Sequence, residues 1–429
     1  MNTEIVAVHG RRIWDSRGRP TVEVDIALAG GASGRGMAPA GASRGRHEAI
    51  DLRDGGAAFG GYGVSGAVAN INGAIAATII GMDAADQEAI DAALIARDGT
   101  ANLAGLGGNA VIATSMAALA AAANAAGMPL WRYLAGDAPV RLPLPEIQIF
   151  GGGAHAGGRV DIQDFMIVPV GAASFDEAMA MTAEVYRAAG ELMEADGSRA
   201  GVADEGGWWP GFATNEAALD ALALSIEAAG FRNGEVLMSL DIAASEFGRN
   251  GRYRLALEDR AFDTGEWLEN LYGWVARYPI LSIEDPVGED DPEGMRAFTE
   301  AVGDRVQVIG DDFLVTDAAR VAAAISDKSC NAVLLKPNQA GTITGMRRAM
   351  LAARDAGWGR VVSARSGETE DVMIVHLATG WDCGQLKVGS FARSERMAKW
   401  NEALRIEAAL GSAAIYAGFD ALPVGRRSG

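Results

Sequence analysis

Positive charge is in short supply in this 429-residue sequence: 56 aspartates and glutamates face 37 lysines and arginines, a formal charge of −19. The resulting field repels nucleic acid and anionic membranes, so neither is expected as a partner. Any anionic ligand must be met by a local cluster of cations or by a metal. Cysteine is nearly absent, and Cys330 and Cys383 are too few for a disulfide framework and lack metal-ligand spacing, so both are expected reduced. No apolar run reaches membrane-spanning length without a glycine or a charge, and the opening MNTEIVAVHGRRIWDSRGRP lacks the charged-then-apolar layout of a leader. A soluble cytoplasmic protein is therefore expected. Lysine is the scarcest basic residue, present only as Lys328, Lys336, Lys387 and Lys399 because arginine does nearly all the basic work. Where lysine persists, an amine becomes a candidate requirement.

What is present is ordinary globular material, 49% hydrophobic and 22% charged, with length for two or three domains and a large core. Alternating TEIVAVHGRRIW and PTVEVDIALAG around DSRGRP predict a hairpin or short meander. Pro39 to Ala49, PAGASRGRHEA, has no apolar period and reads as a connector in preference to a mobile ligand-covering loop. Residues 67–126 turn to alanine, isoleucine and leucine at helical spacing, most clearly from Asn109 to Ala126. Beyond Arg141 to Phe150, short apolar runs alternate with helical stretches, the pattern of βα units and a parallel sheet. The runs end at Asp241, at Glu284 and Asp285, at Asp311 and Asp312, at Lys336, at Arg365 and at Lys387. A closed (β/α) barrel would gather those ends on one face, where such folds build their sites.

Asp241, Glu284 and Asp311, from three neighbouring strand ends, suit one hard cation in an oxygen-only shell, expected to be Mg²⁺. Lys336 and Lys387 stand opposite. Burial and a nearby cation are expected to lower the Lys336 pKa and make it a neutral general base. A lysine base beside Mg²⁺ serves to remove a proton from the carbon next to a carboxylate. Arg365 and Ser366, in SARSGETED, offer a guanidinium and a hydroxyl for a phosphate or second carboxylate; the alternative is a structural arginine paired with Glu368, Glu370 or Asp371. His155 in GGGAHAGG and Glu205 in VADEGGWWP lie in Gly-rich loops that precede the barrel series.

The segments DSRGRPTVEV, GASRGRHEA, HAGG with VDIQDFM, DEGG, SLDIAASEF, SIEDP, GDD, LLKPNQAGT, RSGETED, GQLKVG and ARSERMAKWNEALRIE occur in order over nearly the whole chain. In these the sequence resembles the enolase (phosphopyruvate hydratase) family. The resemblance implies an α/β protein with an N-terminal α+β capping domain over residues 1–140 and an enolase-type (β/α)8 barrel over 141–429. It also implies a homodimer or higher homo-oligomer, two Mg²⁺ per site and a small anionic phosphorylated or phosphonate carboxylic acid as substrate. Carried across by position, Asp241, Glu284 and Asp311 match ligands of the first metal and Ser43 the loop serine that helps hold the second. Lys336 matches the base, Lys387 the lysine facing the substrate carboxylate, and Glu205 the acid that assists loss of the β-hydroxyl. Arg365 and Ser366 match phosphate contacts, and His155 and Gln163 match substrate-loop positions. The stretch Pro39 to Ala49 becomes a closing lid on this basis.

Several positions depart from the family pattern. Ala364 stands where the family has histidine, and Asp164 replaces the glutamate of its QEFM motif, one methylene shorter. Arg44 replaces the usual lid threonine, and Trp208 and Trp209 follow DEGG where smaller residues are usual. Three readings stay open: an enolase-type lyase interconverting 2-phosphoglycerate and phosphoenolpyruvate or a close analogue; a diverged paralogue resembling carboxyphosphonoenolpyruvate synthase of phosphonate biosynthesis, with Arg44 meeting a second anionic group; and a non-catalytic binding protein on an enolase fold. The tryptophans are expected to pack the loop in preference to touching ligand.

Overall fold

The alternating apolar residues near the N-terminus form the expected meander, β1 (Ile5–Trp14), β2 (Pro20–Leu28) and β3 (Ser33–Met37), antiparallel in the order β1-β2-β3. The computed structural model describes residues 2–42, 45–232 and 234–425. One sheet face packs on the alanine-rich helix Gly108–Ala125, which lies within a residue of its expected bounds. Contact is close because β3 presents glycine there: a β-carbon on Gly34 would lie 2.1 Å from the Ala121 nitrogen, and one on Gly36 2.3 Å from the Ala113 oxygen. By length and composition this is the one described helix apolar enough to cross a membrane, but 89% of it is buried inside the protein.

The second half closes an eight-stranded barrel. Its strands are β4 (Leu144–Gly151), β5 (Asp164–Val168), β6 (Leu237–Asp241), β10 (Ile280–Glu284), β11 (Gln307–Gly310), β12 (Ala332–Leu335), β13 (Gly359–Ser363) and β14 (Gly384–Ser390). The intervening β7 (Gly248–Arg249), β8 (Arg252–Leu255) and β9 (Arg260–Asp263) form a small separate sheet. Most barrel strands are buried on both faces, which is why they read as unbroken apolar runs. The uniform run of βα units expected from the sequence is broken once: β5 is antiparallel to both β4 and β6, whereas the other neighbours are parallel. No α-helix separates β4 from β5, and two, Phe175–Ala195 and Asn215–Ala228, precede β6. Because β5 runs the other way, its first residues reach the mouth where the other strands end. The turn between the two helices returns to that same mouth.

The two halves are joined by buried hydrogen bonds at the start of helix Ile343–Asp355. Its first amides need acceptors that the helix itself cannot supply. Asp91 accepts from the Thr344 N–H at 2.9 Å and the Ser115 hydroxyl at 2.6 Å, while Ser115 Oγ accepts from the Ile343 N–H at 3.0 Å. Replacing Asp91 by alanine strands these donors, and the variant is expected to lose about 2 kcal/mol of stability. Urea unfolding, read as a lower midpoint at unchanged slope, checks this.

Candidate active site

The charged strand ends foreseen in the sequence do converge. Lys387, within β14, places Nζ 2.8 Å from Asp241 Oδ2, 2.7 Å from Glu284 Oε2 and 3.6 Å from Asp164 Oδ2. Lys336, just past β12, pairs with Asp311, whose second oxygen accepts from Gln339 at 2.9 Å. Gln163 donates to Asp241 Oδ2 at 3.0 Å. All of these side chains are buried. Behind them Asp285 accepts the Asp311 and Asp312 amides at 2.9 and 2.7 Å, fixing the GDD turn.

Charge is balanced tightly here. Burial and then Asp241 push the Glu284 carboxyl well above the usual carboxylate range. Burial alone would raise Asp241 too, but Lys387 holds it below its ordinary value. Without a cation beside it, Lys336 is not lowered as expected: burial is the largest influence and opposes its charge, but the carboxylates around it, Asp311 first and then Glu284, together hold the amine above an ordinary lysine. Lys387 is raised further, by Asp241 and Glu284 against burial. Each lysine thus serves as counter-charge to the carboxylates it touches. Ligating atoms of Asp241, Glu284 and Asp311 accordingly do not converge as one group; among the described residues, those of Asp285, Asp311 and Asp312 and those of His155, Asp164 and Glu205 do. The expected set still offers only oxygen donors, and Glu284 Oε1 is buried with no hydrogen-bond partner. An unpartnered buried carboxylate oxygen beside two further carboxylates fits a hard cation.

A second cluster lies on the other side of Lys387. His155, in the single turn Gly153–Ala156, places Nε2 3.7 Å from Asp164 Oδ1 and 3.9 Å from Glu205 Oε1. The environments push the two acids apart. Burial raises Asp164 to about 6 even though His155 and Lys387 oppose it. Burial also raises Glu205, but His155 and Arg396 overcome it and hold that carboxyl low. Of the pair, Asp164 holds a proton more readily.

Arg365 and Ser366 lie beyond β13. The Arg365 guanidinium donates to Glu48 at 2.9 Å and Asn338 at 3.0 Å, and the Glu368 carboxylate instead accepts the Arg365 backbone N–H. Ser366 Oγ accepts from the Ala42 N–H at 3.0 Å, and Ala40 bridges to Gly367. Arg46 pairs with Glu289 and Asp290. The described part of Pro39 to Ala49 is therefore docked on the barrel mouth. Ser43 and Arg44 lie outside the described residues.

His155, Asp164, Glu205, Lys336, Ala364 and Lys387 help line one cavity of about 20 Å³. Trp208 and Trp209 are not among its lining residues. Trp208 stacks on Tyr186 at 4.7 Å between ring centres and donates to the Tyr186 carbonyl, so it packs the loop as expected. Sequence reasoning missed Glu48, Gln148 and Arg396. Arg396 is wholly buried and donates to the carbonyls of Arg365, Ser366 and Val388, fixing the loop that follows β13. It lies within ARSERMAKW, the one signal for it.

A closed barrel with carboxylates and two amines at its mouth, beneath a packed α+β layer, defines a barrel protein with its site at the strand ends. Residues 139–423 match the family described as "Enolase, C-terminal TIM barrel domain", and residues 5–134 match "Enolase, N-terminal domain". The chain is 50% identical over 417 residues to "Enolase 1" of Desulfitobacterium hafniense, covering 96% of this chain and 95% of the relative. It is 46% identical over 429 residues to "Enolase" of Rubrobacter xylanophilus, covering both completely. The chain belongs to the enolase family.

The raised Asp164 pKa carries a sign. Below its ordinary pKa near 4 the group is protonated folded or unfolded; as pH rises through about 6, the folded state must ionise a group that burial disfavours, and stability falls. Relative to Asp164→Asn, the metal-free protein is expected to lose stability between about pH 4 and 6, which paired unfolding curves across that range will measure. A constant difference would contradict the shift.

Proposed function

We propose that this chain is an enolase-type lyase that removes the proton next to a carboxylate and expels a β-hydroxyl, converting 2-phosphoglycerate to phosphoenolpyruvate or running the reverse. The observation that carries this reading is the placement of two buried lysines among the barrel-mouth carboxylates, next to a separate His155–Asp164–Glu205 cluster. Lys336 is the base, and it acts only in neutral form, so its ion pair with Asp311 must open before the proton moves. Lys387 faces the substrate carboxylate. Mg²⁺, which Asp241, Glu284 and Asp311 would hold, supplies positive charge against the dianion formed when the proton leaves. The proton for the departing hydroxyl comes from the Asp164–Glu205 pair, with His155 and Gln163 beside the substrate. Arg365 and Ser366 take the phosphate. Glu48 already engages Arg365 and holds its guanidinium in place.

The proposal includes residues 1–140 as the covering domain, a homo-oligomeric assembly and a second Mg²⁺ near Ser43. A second reading is favoured by Ala364, which lines the cavity with a methyl group beside the shortened acid Asp164. That reading keeps enolate formation and changes the β-substituent, as in a carboxyphosphonoenolpyruvate synthase-like enzyme.

Purified protein with Mg²⁺ and 2-phosphoglycerate is expected to form phosphoenolpyruvate and, in deuterated water, to exchange the α-proton. Exchange without elimination would select the second reading, and neither activity would overturn both. Lys336→Ala is expected to lower exchange by at least roughly 10²- to 10⁴-fold while Mg²⁺ binding, followed by calorimetry, persists. Retained exchange would remove Lys336 from the role of base.

A further inference from the structure

Gln148 takes no part in the chemistry described so far, although it is fully buried against Asp164 and the turn that carries Glu205. It lies on β4, next to β5. Its Nε2 donates to Asp164 Oδ1, and its Oε1 accepts from the Gly207 N–H at 2.9 Å. Only one orientation of the amide satisfies both partners, because a carboxylate oxygen needs a donor and an N–H needs an acceptor. Gly207 closes the turn that carries Glu205: the Ala203 N–H donates to the Gly207 carbonyl at 2.8 Å, and the Gly206 N–H to the Ala203 carbonyl at 3.0 Å. One side chain therefore touches Asp164 and braces the backbone two residues beyond Glu205.

The surroundings are shaped around this amide. A β-carbon on Gly207 would lie 2.4 Å from Gln148 Oε1, and one on Gly151 3.1 Å from it. Asp164 has a shorter side chain than the glutamate expected at its position, so its carboxylate stays close to β5. The long Gln148 side chain, from the adjacent strand, reaches that carboxylate.

We propose that Gln148 is the positioning residue of the acid side, setting Asp164 and the Glu205 turn in fixed relation through a single buried amide. The inference rests on the reading of the site as one that eliminates a β-hydroxyl. Lys336 and the strand-end carboxylates are not partners of Gln148, so removal of the α-proton does not depend on it. Loss of the amide therefore separates two steps that a general weakening of the fold would lower together.

The test is Gln148→Met, which keeps length but removes both hydrogen bonds, with Gln148→Asn as a second variant that keeps an amide but withdraws it by one methylene. In both, elimination from 2-phosphoglycerate is expected to fall about 100-fold while α-proton exchange in deuterated water stays within about threefold of the parent. Equal losses in both rates, or undiminished elimination, would overturn the assignment. A crystal structure of Gln148→Met is read alongside. A displaced Asp164 carboxylate and 205–207 turn supports the assignment, and unmoved acids overturn it. Those coordinates report on positioning even if the parent protein leaves 2-phosphoglycerate untouched, an outcome that would count against the proposed reaction and not against Gln148.

Discussion

Buried carboxylates at one barrel mouth repel one another strongly unless positive charge lies among them, and the rest of this site is arranged around that constraint. Lys387 lies between Asp241 and Glu284, and Lys336 sits on Asp311. Lys387 lies within β14 and Lys336 directly follows β12, both buried, so the counter-charge is fixed in position. The same constraint gives a reason for lysine at these two positions in a chain where arginine does most of the basic work. Arginine, which dominates elsewhere, does not readily lose its proton and cannot act as a neutral base.

The reversal of one strand supplies the other half of the site. With β5 antiparallel, Gln163 and Asp164 reach the mouth from the start of a strand, while Asp241 arrives opposite Asp164 from the end of β6. The loop before β5 brings His155, and the turn between the two following helices brings Glu205. A barrel of eight identical βα units would have placed Asp164 at the far end. The N-terminal layer is held over this mouth by several contacts, among them Asp91 and Ser115 on the helix that follows Lys336, Glu48 on Arg365, and Arg46 on Glu289 and Asp290.

Legibility in the sequence followed the range of the interaction. Lys336, Asp241, Glu284 and Asp311 could be read because each closes a short apolar run, and a run's end is a local feature. The direction of β5 could not be read, since Asp164–Val168 is too short for its pattern to carry direction. Nor could Glu48, whose partner Arg365 lies 317 residues away. The direction of the Lys336 pKa without a cation was hidden for a related reason: burial was visible as apolar neighbours in sequence, whereas the carboxylates that raise it, Asp311 and Glu284, arrive from different strands. Trp208 was correctly read as packing because a large ring beside a Gly pair more readily fills a loop than contacts a small anion.

The two sides of the mouth are under different physical demands, and of the departures from the family pattern Asp164 and Ala364 line the cavity between them. Around Asp241, Glu284, Asp311 and the two lysines, any change of charge leaves an uncompensated ion in a buried place, so little can vary. Around Asp164 and Glu205 the two acids differ in how readily each holds a proton, and hydrogen bonds from neutral groups can adjust that difference. An acid shortened by one methylene can be held there by a neutral amide from the next strand, and a lost imidazole at Ala364 leaves no buried charge unpaired. Lys387 is the contact between the two sides, 3.6 Å from Asp164 and under 3 Å from Asp241 and Glu284. Its pairing with Asp164 is the looser one, while Asp241 and Lys336 also act on the acid pair through charge. Neutral hydrogen-bonding groups can therefore vary around the acid pair at less electrostatic cost than any change among the two lysines and their carboxylates.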